Sequence, residues 1–469
     1  MNKAKILSFA IGPIGSAILG FISLPILAWY FSAADIGRIS MLQVVISFAV
    51  ILCSLGLDQA YGREYHETKD KAALLRTVIV PGLVLMLIII ICIFIYSPKF
   101  ISSSLFAINS ITFSFLVVVC LLCSFLSRFL SLILRMQEKG LAFSMSQILP
   151  KILFLLVIGL YVFLGLILDF QKLLIAQVLS IVVVLFIYIW NTRIEWLPAI
   201  SKKVDFHNLK QMLSFGLPLI FGGVAYWALM AMDRIFLRNF SSFDELGIYS
   251  IASSVAAVAG IVSGIFTTIW APTVFKWAAA GENLDKIDEV GEHVLAAVYF
   301  ILCLGGIFSW IIPYLLPETY MEVQYLVVVC MIAPLFYMVS ETTAVGISIS
   351  RKTSYSLLAS CIAASINALG NYFLVPLYGA AGAAISTAFA FWFFVVCRTE
   401  FCCLVWRKVP RFKLYAITFI SLIATVCFAL IGKYMGIWFV MIWIILFFIG
   451  FFIFSNTIKK LMVQVRTGF

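Results

Sequence analysis

The feature of this sequence that most constrains its fold is a series of apolar stretches, each about 20 residues long, separated by short polar segments. Hydrophobic residues make up 64% of the 469 residues, charged residues make up 11%, and the mean hydropathy is +1.13. A soluble globular protein cannot bury that much apolar surface. The sequence therefore predicts an all-α, polytopic membrane protein.

We predict about 14 transmembrane helices, because a helix needs about 20 mostly apolar residues to cross a bilayer. We separate the fifth span from the sixth because a charged residue, Asp169, lies between them. The segments between spans are too short to contain a soluble catalytic or ligand-binding domain. The predicted spans are 6–30, 38–60, 77–97, 111–134, 141–165, 170–190, 212–238, 246–270, 293–316, 322–349, 354–376, 380–404, 412–431 and 437–456.

The second half of the sequence repeats features of the first half. LSFGLPL at 213–219 is similar to LSFAIGP at 7–13, and the turn SFDELGIYS at 242–250 is similar to SAADIGRIS at 32–40. Gly and Pro interrupt the first apolar helix of each copy, and such paired interrupted helices indicate a transporter's binding site. The alternative is that any two membrane helices containing Gly and Pro look alike.

The repeat predicts a division of the chain into lobes. Each copy contains an even number of spans, so both copies begin on the same side of the membrane, as parallel repeats do. We predict a six-helix lobe at 1–200, a second six-helix lobe at 201–405, and an additional C-terminal helix pair at 406–469.

The distribution of Lys and Arg predicts the orientation. Most of these residues fall on one side when the N-terminus is placed in the cytoplasm, as the positive-inside rule requires. Both termini and the loops at 64–71 and 202–210 are then cytoplasmic. Basic cytoplasmic loops explain the net charge of +11, so we expect no nucleic-acid partner.

The sequence contains no catalytic or nucleotide-binding motif of the P-loop, GxSxG or HExxH type. All eleven Cys lie in apolar runs, and the three His are scattered. We therefore expect no disulfide, no metal site and no cofactor. These observations favour a transporter over an enzyme.

Ionisable residues inside spans are the candidate functional residues, because such a residue costs about 2.5–3.5 kcal/mol at the bilayer centre and normally faces a cavity. Three of them are basic: Arg128, Lys151 and Arg234. Arg128 and Lys151 lie on consecutive antiparallel helices at heights that differ by only about 5 Å. We expect them to form one cationic site if both face a cavity. Arg128 and Arg234 could instead extend to the membrane interface.

The remaining candidates, four acidic residues and one arginine, are associated with gating or ion coupling. Asp58, Arg63 and Glu64 lie at the inner end of the second span, where we expect them to help close the cytoplasmic side. A structural Asp58–Arg63 ion pair is the alternative. Asp233 and Glu341 lie inside the seventh and tenth spans, and Glu341 has no Lys or Arg one turn away in sequence. We expect a lone carboxyl there to bind and release a coupling proton.

Four segments resemble the polysaccharide transporter family, which contains the bacterial lipid-linked oligosaccharide (O-antigen type) flippases of the multidrug, oligosaccharidyl-lipid and polysaccharide exporter superfamily. Their order and spacing over both halves carry the resemblance. The segments are LPILAWYFSAADIGRISMLQ at 24–43, LGLDQAYGREYHE at 55–67, DRIFLRNFSSFDELGIYSIA at 233–252 and PLYGAAGAAIST at 376–387.

The resemblance implies two six-helix lobes around a central cavity that opens to alternate sides of the bacterial inner membrane. It implies transport of a polyprenyl-diphosphate-linked oligosaccharide, such as an O-antigen repeat unit, from the cytoplasmic to the outer leaflet. A polysaccharide polymerase and chain-length machinery are candidate partners, beside membrane lipids. The family often has twelve spans, so the C-terminal pair departs from its pattern, whereas the similar lipid II flippases have fourteen.

With such a substrate, we expect Arg128, Lys151 and Arg234 to receive the diphosphate, because buried cations offset its desolvation. Two other functions stay open. A drug exporter of the same superfamily would need acidic residues concentrated in the cavity, and a membrane oligosaccharide polymerase would need a large outer loop with clustered polar groups.

Overall fold

The computed structural model describes residues 3–279, 285–350 and 352–460, and within those ranges the chain forms helices and no strand. The described helices are α1 (Lys3–Tyr30), α2 (Ala33–Ser54), α3 (Leu57–Glu64), α4 (Lys71–Tyr96), α5 (Phe100–Phe106), α6 (Ile111–Met136), α7 (Gly140–Phe163), α8 (Phe170–Asn191), α9 (Arg193–Ser201), α10 (Phe206–Phe240), α11 (Phe243–Ala279), α12 (Asp285–Ile307), α13 (Ile312–Leu315), α14 (Val323–Ile349), α15 (Ser354–Val405), α16 (Phe412–Met435) and α17 (Ile437–Ile453).

The all-α polytopic class is confirmed, but the predicted count of 14 spans is not. Among the described residues, ten helices are long and apolar enough to cross a membrane, or eleven if the two parts of α10, bent by 43°, count as one span. Two further apolar helices, Ile14–Tyr30 and Ile437–Ile453, are shorter than the usual length of a span. Each of the 14 predicted spans nevertheless overlaps one of these helices.

Two of the predicted spans lie on α15, which is continuous except at Gly379. This residue has a φ of 50°, a left-handed conformation that favours glycine. The Glu245 carboxylate accepts a hydrogen bond from the Ala380 N–H at 2.7 Å, and a Cβ on Gly379 would collide with it. Glu245 therefore caps the second part of α15, where the backbone restarts after the break.

Contacts divide the chain into two compact units, Met1–Ala231 and Met232–Phe469. We call them unit one and unit two. The division falls within α10, and the C-terminal helices α16 and α17 belong to unit two. The parallel-repeat relation and the predicted boundaries at 200 and 405 stay predictions, and residues 461–469 of the predicted helix pair lie outside the described residues.

In unit one, a face of α1 that carries glycines packs on α7. A Cβ on Gly12 would lie 2.7 Å from the Ser144 Cα, and a Cβ on Gly20 would lie 2.9 Å from the Lys151 Nζ. Small residues at these positions let the two helices approach closely, as membrane helices often do. The interruptions noted in the sequence of the first span therefore form a packing surface.

The junction between α2 and α3 positions Asp58. Leu55 and Gly56 both have left-handed φ angles, of 53° and 68°, so the chain turns before α3 begins. A Cβ on Gly56 would lie 2.3 Å from the Gly216 carbonyl oxygen, so the two backbones are in direct contact. Asp58 follows in the first turn of α3 and is buried.

In unit two, α14 packs against α11, α12, α15 and α16. The C-terminal helices are part of this core. Trp443 of α17 is buried and lies against Gly306, where a Cβ would collide with its indole ring. The Tyr299 hydroxyl of α12 donates a hydrogen bond to the Leu446 carbonyl at 2.7 Å. The C-terminal helices are thus fixed to α12 by close packing.

Candidate functional site

The strongest candidate site in unit one is an ion pair between Arg128 of α6 and Asp58 of α3. The Arg128 Nη2 lies 2.7 Å from the Asp58 Oδ2, and the Arg128 Nε lies 3.2 Å from the same oxygen. The Asp58 side chain is 8% exposed, whereas the Arg128 side chain is 50% exposed. The carboxylate therefore holds the guanidinium in place and leaves part of it open.

Arg128 and Asp58 line a cavity of about 480 Å³ within unit one. Most of the other lining residues carry a hydroxyl group, namely Ser47, Ser54, Ser124, Ser127, Ser131 and Tyr188. Hydroxyl groups both donate and accept hydrogen bonds, and the guanidinium adds charged donors. The cavity can therefore bind a polar anionic group inside an otherwise apolar set of helices.

The sequence did contain a signal for these serines, which our predictions missed. Ser124, Ser127 and Ser131 follow each other on α6 at intervals of three and four residues, with Arg128 among them. That spacing places them on one face of a helix. A polar face on an otherwise apolar span indicates a cavity rather than lipid.

The Asp58–Arg63 ion pair, which was the alternative to a gating role, is not among the described contacts. Asp58 pairs with Arg128 because the turn at Leu55 and Gly56 directs it toward α6, while Arg63 lies further along α3. The Arg63 Nε is 3.8 Å from the Glu64 Oε1, and its guanidinium lies 4.8 Å from the centre of the Phe215 ring. Arg63 and Glu64 are thus neighbours of the site and not members of it.

Lys151 does not line the described wall of the cavity that contains Arg128. Its ammonium donates a hydrogen bond to the Ser16 carbonyl of α1 at 2.5 Å, next to Gly20. The predicted joint site of Arg128 and Lys151 is therefore not assembled in this structure. The two residues lie on consecutive helices, but Lys151 is engaged in the contact between α1 and α7.

In unit two, Asp233 is buried in a network of neutral hydrogen-bond donors. The Thr387 hydroxyl donates to its carboxylate at 2.6 Å, the Asn371 amide donates at 2.8 Å, and the Tyr249 hydroxyl also donates. The Asn371 Oδ1 is buried and has no hydrogen-bond partner in the described structure. The neighbouring Arg234 interacts electrostatically with Asp233.

Unit two also contains an ion pair that joins Glu341 of α14 to Arg398 of α15. The Arg398 Nη1 lies 2.7 Å from the Glu341 Oε1 and 2.8 Å from the Ser340 hydroxyl. The Glu341 side chain is 17% exposed and the Arg398 side chain is 11% exposed. The expectation that Glu341 is a lone carboxyl is therefore wrong, because its cation comes from a different helix.

No group of three or more His, Cys, Asp or Glu side chains that could hold a metal ion occurs among the described residues. The oxygen atoms around Asp233 come mainly from neutral amides and hydroxyls. Such a set suits a proton or a small monovalent cation better than a transition metal, which prefers nitrogen and sulfur ligands.

Apolar spans that keep paired ionisable residues inside the protein are typical of a membrane transporter. Two solved structures share this fold. The lipid II flippase MurJ, in an inward closed conformation, aligns with a TM-score of 0.70 at 16% identity, over 97% of this chain and 99% of that chain. An inward-facing multidrug resistance transporter of the MATE family, in the MOP superfamily, aligns with a TM-score of 0.55 at 16% identity, over 83% of this chain and 94% of that chain.

A family model described as polysaccharide biosynthesis protein matches residues 3–277, which is more than half of the sequence. The chain belongs to this family, and the resemblance seen in the sequence is confirmed. A curated relative, protein 1 of the Lsg locus of Haemophilus influenzae, is 23% identical over 319 residues, covering 65% of this chain and 73% of the relative.

Proposed function

We propose that the protein is a flippase that moves a polyprenyl-diphosphate-linked oligosaccharide from the cytoplasmic to the outer leaflet of a bacterial inner membrane. Membership of the polysaccharide biosynthesis family and the fold shared with a lipid II flippase support a lipid-linked glycan as the substrate. The observation that carries the proposal is the open guanidinium of Arg128 in a cavity lined with hydroxyl groups.

Arg128 binds the diphosphate in this proposal. A buried unpaired guanidinium is unfavourable, so Asp58 stabilises it while the cavity is empty. The exposed edge of the guanidinium and the serine hydroxyls then donate hydrogen bonds to phosphate oxygens as the substrate enters. Lys151 and Arg234 are the further cations that we assign to the diphosphate, at later stages of the transport cycle.

The test is complementation of glycan export in a strain that lacks its own flippase. Arg128→Ala removes the cation, and we expect export to fall by at least tenfold at normal protein abundance. Arg38→Ala is the matched control, because Arg38 lies on α2 and pairs with Asp35 at 2.9 Å, and neither residue lines the cavity. Export at the wild-type rate in Arg128→Ala would remove the diphosphate site from this cavity.

Asp233 is the residue that we assign to ion coupling. Its described hydrogen-bond donors are neutral, so binding a proton or a small cation would change the net charge of the network. Glu341 is less suited to coupling, because it is already paired with Arg398 at 2.7 Å. We expect Asp233→Asn to abolish uphill transport in proteoliposomes and to retain downhill exchange. Unchanged dependence on the ion gradient would exclude Asp233 from coupling.

A cation-coupled drug exporter is the second candidate, because a MATE transporter shares the fold and Asp233 is a buried acid. The two functions differ in a simple phenotype. A drug exporter raises resistance to cationic drugs in a sensitive host, and Arg128→Ala would leave that resistance unchanged.

A further inference from the structure

The short helix α9 has an exposed apolar face. Ile194, Leu197 and Ile200 are 78%, 51% and 59% exposed. They recur every three residues, so they share one side of the helix. Glu195, Trp196 and Ala199 lie on the other side and face the protein, where Ala199 is buried.

Polar contacts fix this orientation. The Arg76 Nη1 of α4 donates to the Ile200 carbonyl at 2.7 Å and so satisfies an open carbonyl at the end of α9. The Gln137 amide donates to the Glu195 carboxylate at 2.7 Å. Because both contacts lie on the inner side or at the end of α9, the helix cannot turn its apolar face inward without losing them.

A third contact ties the end of α9 to the start of α4. The Lys202 ammonium donates to the Asp70 carboxylate at 2.6 Å. This hydrogen bond, with a second from the Ala73 N–H, lowers the pKa of Asp70 below its ordinary value. The contact therefore persists into mildly acidic solution.

The charges that flank the exposed face are basic. Arg193 precedes it and lies 4.5 Å from the centre of the exposed Trp190 ring, and Lys202 and Lys203 follow it. The acidic residue of α9, Glu195, is directed toward Gln137. An apolar face between basic residues is complementary to a surface that is apolar inside and negatively charged outside.

We propose that α9 lies flat in the headgroup region of the membrane, on the side that the Lys and Arg distribution predicts to be cytoplasmic, and that it binds anionic phospholipids. Ile194, Leu197 and Ile200 enter the acyl-chain boundary, and Arg193 and Lys203 contact lipid phosphates. The helix α8, which contains the predicted span 170–190, ends at Asn191, which brings α9 to the edge of the bilayer. Three apolar side chains are far fewer than a stable protein interface needs, which favours lipid as the occupant.

This anchoring has a mechanical consequence within unit one. α9 contacts α4 through Arg76 and Lys202, and residues 202–205 lead directly into α10. A helix held in the headgroup region therefore sets the height of the inner ends of α4 and α10 relative to the bilayer. This role does not depend on the identity of the transported substrate.

The test measures depth by electron paramagnetic resonance. Single cysteines at positions 194, 197 and 200, in a background without the eleven native Cys, carry a nitroxide in the full-length protein in nanodiscs. Accessibility to oxygen reports contact of a label with lipid, and accessibility to nickel-EDDA reports its contact with water. Labels at Lys69, in an exposed loop, and at Ile88, on an exposed face of α4, are the aqueous and bilayer controls.

In nanodiscs that contain phosphatidylglycerol, we expect the three labels to lie about 5–10 Å below the phosphates. In phosphatidylcholine alone, or with Arg193→Gln and Lys203→Gln together, we expect them to move toward water. Labels with the nickel accessibility of position 69 would overturn the proposal. Equal depth in both lipids would refute the anionic preference, and labels shielded from both reagents would mean that a protein covers the face.

Discussion

The Arg128–Asp58 pair of unit one and the Arg398–Glu341 pair of unit two each join two helices, and they differ in how open the arginine is. Arg128 is 50% exposed beside Asp58, whereas Arg398 is 11% exposed beside Glu341. An arginine that faces a cavity keeps donors for an incoming anion, whereas an enclosed arginine is already neutralised by its partner. On this comparison we propose that the pair in unit one binds ligand and that the pair in unit two holds α14 to α15.

The surroundings of the two arginines support this difference. Arg128 has serine hydroxyls and open space around it. Arg398 donates to Ser340 and has the Phe394 ring 5.1 Å from its guanidinium carbon, so protein groups cover it on several sides. We therefore expect the two pairs to differ in function because the packing around them differs.

The largest effect that we expect is on the stability of unit two. Arg398→Ala leaves the Glu341 carboxylate enclosed without a cation, which costs about 3–5 kcal/mol of folding free energy. Protein abundance and thermal unfolding in detergent measure this. The paired change Glu341→Leu with Arg398→Met is the control and should restore abundance, since apolar residues of similar volume replace an ion pair well. A stable but inactive Arg398→Ala protein would place this pair in transport instead.

Sequence reasoning identified both members of the pair in unit one, Asp58 and Arg128, and one member of the pair in unit two, Glu341. It found neither pairing. The distance of a residue from the end of its span follows from counting, whereas the direction in which its side chain points depends on helix packing. Glu341 and Arg398 are 57 residues apart, and only the packing of α14 on α15 brings them together. Arg398 lies in a predicted span and should have been a candidate on the criterion applied to Arg128.

Lys151 illustrates the same point. Its depth was predicted to match that of Arg128, but the glycine face of α1 provides room beside Gly20 and an acceptor at the Ser16 carbonyl. A larger guanidinium in place of the Lys151 ammonium would crowd this contact with α1. The membrane class, by contrast, follows from hydrophobicity alone and was predicted correctly.

A conservative change at Arg128 sharpens the comparison. Arg128→Lys keeps the charge but cannot hold Asp58 with two donors while offering others to a phosphate. A hydrogen bond to a charged group contributes about 1.5–3 kcal/mol, so we expect export to fall by roughly tenfold or more. Glycan export per folded protein is the measurement, with Ser131→Ala as a milder change in the same cavity. Wild-type export in Arg128→Lys would reduce the role of Arg128 to that of a point charge.

The smallest effect that we expect comes from Arg63, which adjoins the open pair without joining it. Its contacts are a Glu64 oxygen at 3.8 Å and the Phe215 ring at 4.8 Å, and its side chain is more than half exposed. An exposed ion pair and an exposed cation–π contact each contribute about 0.5–1 kcal/mol. Arg63→Ala should therefore slow export only two- to fivefold, by shifting the balance between conformations of the transporter. Lys69→Ala, in the exposed loop that follows α3, controls for the loss of a charge and should leave export unchanged. Complete loss of export in Arg63→Ala at normal abundance would mean that Arg63 binds substrate, and the site in unit one would then extend from Arg128 along α3.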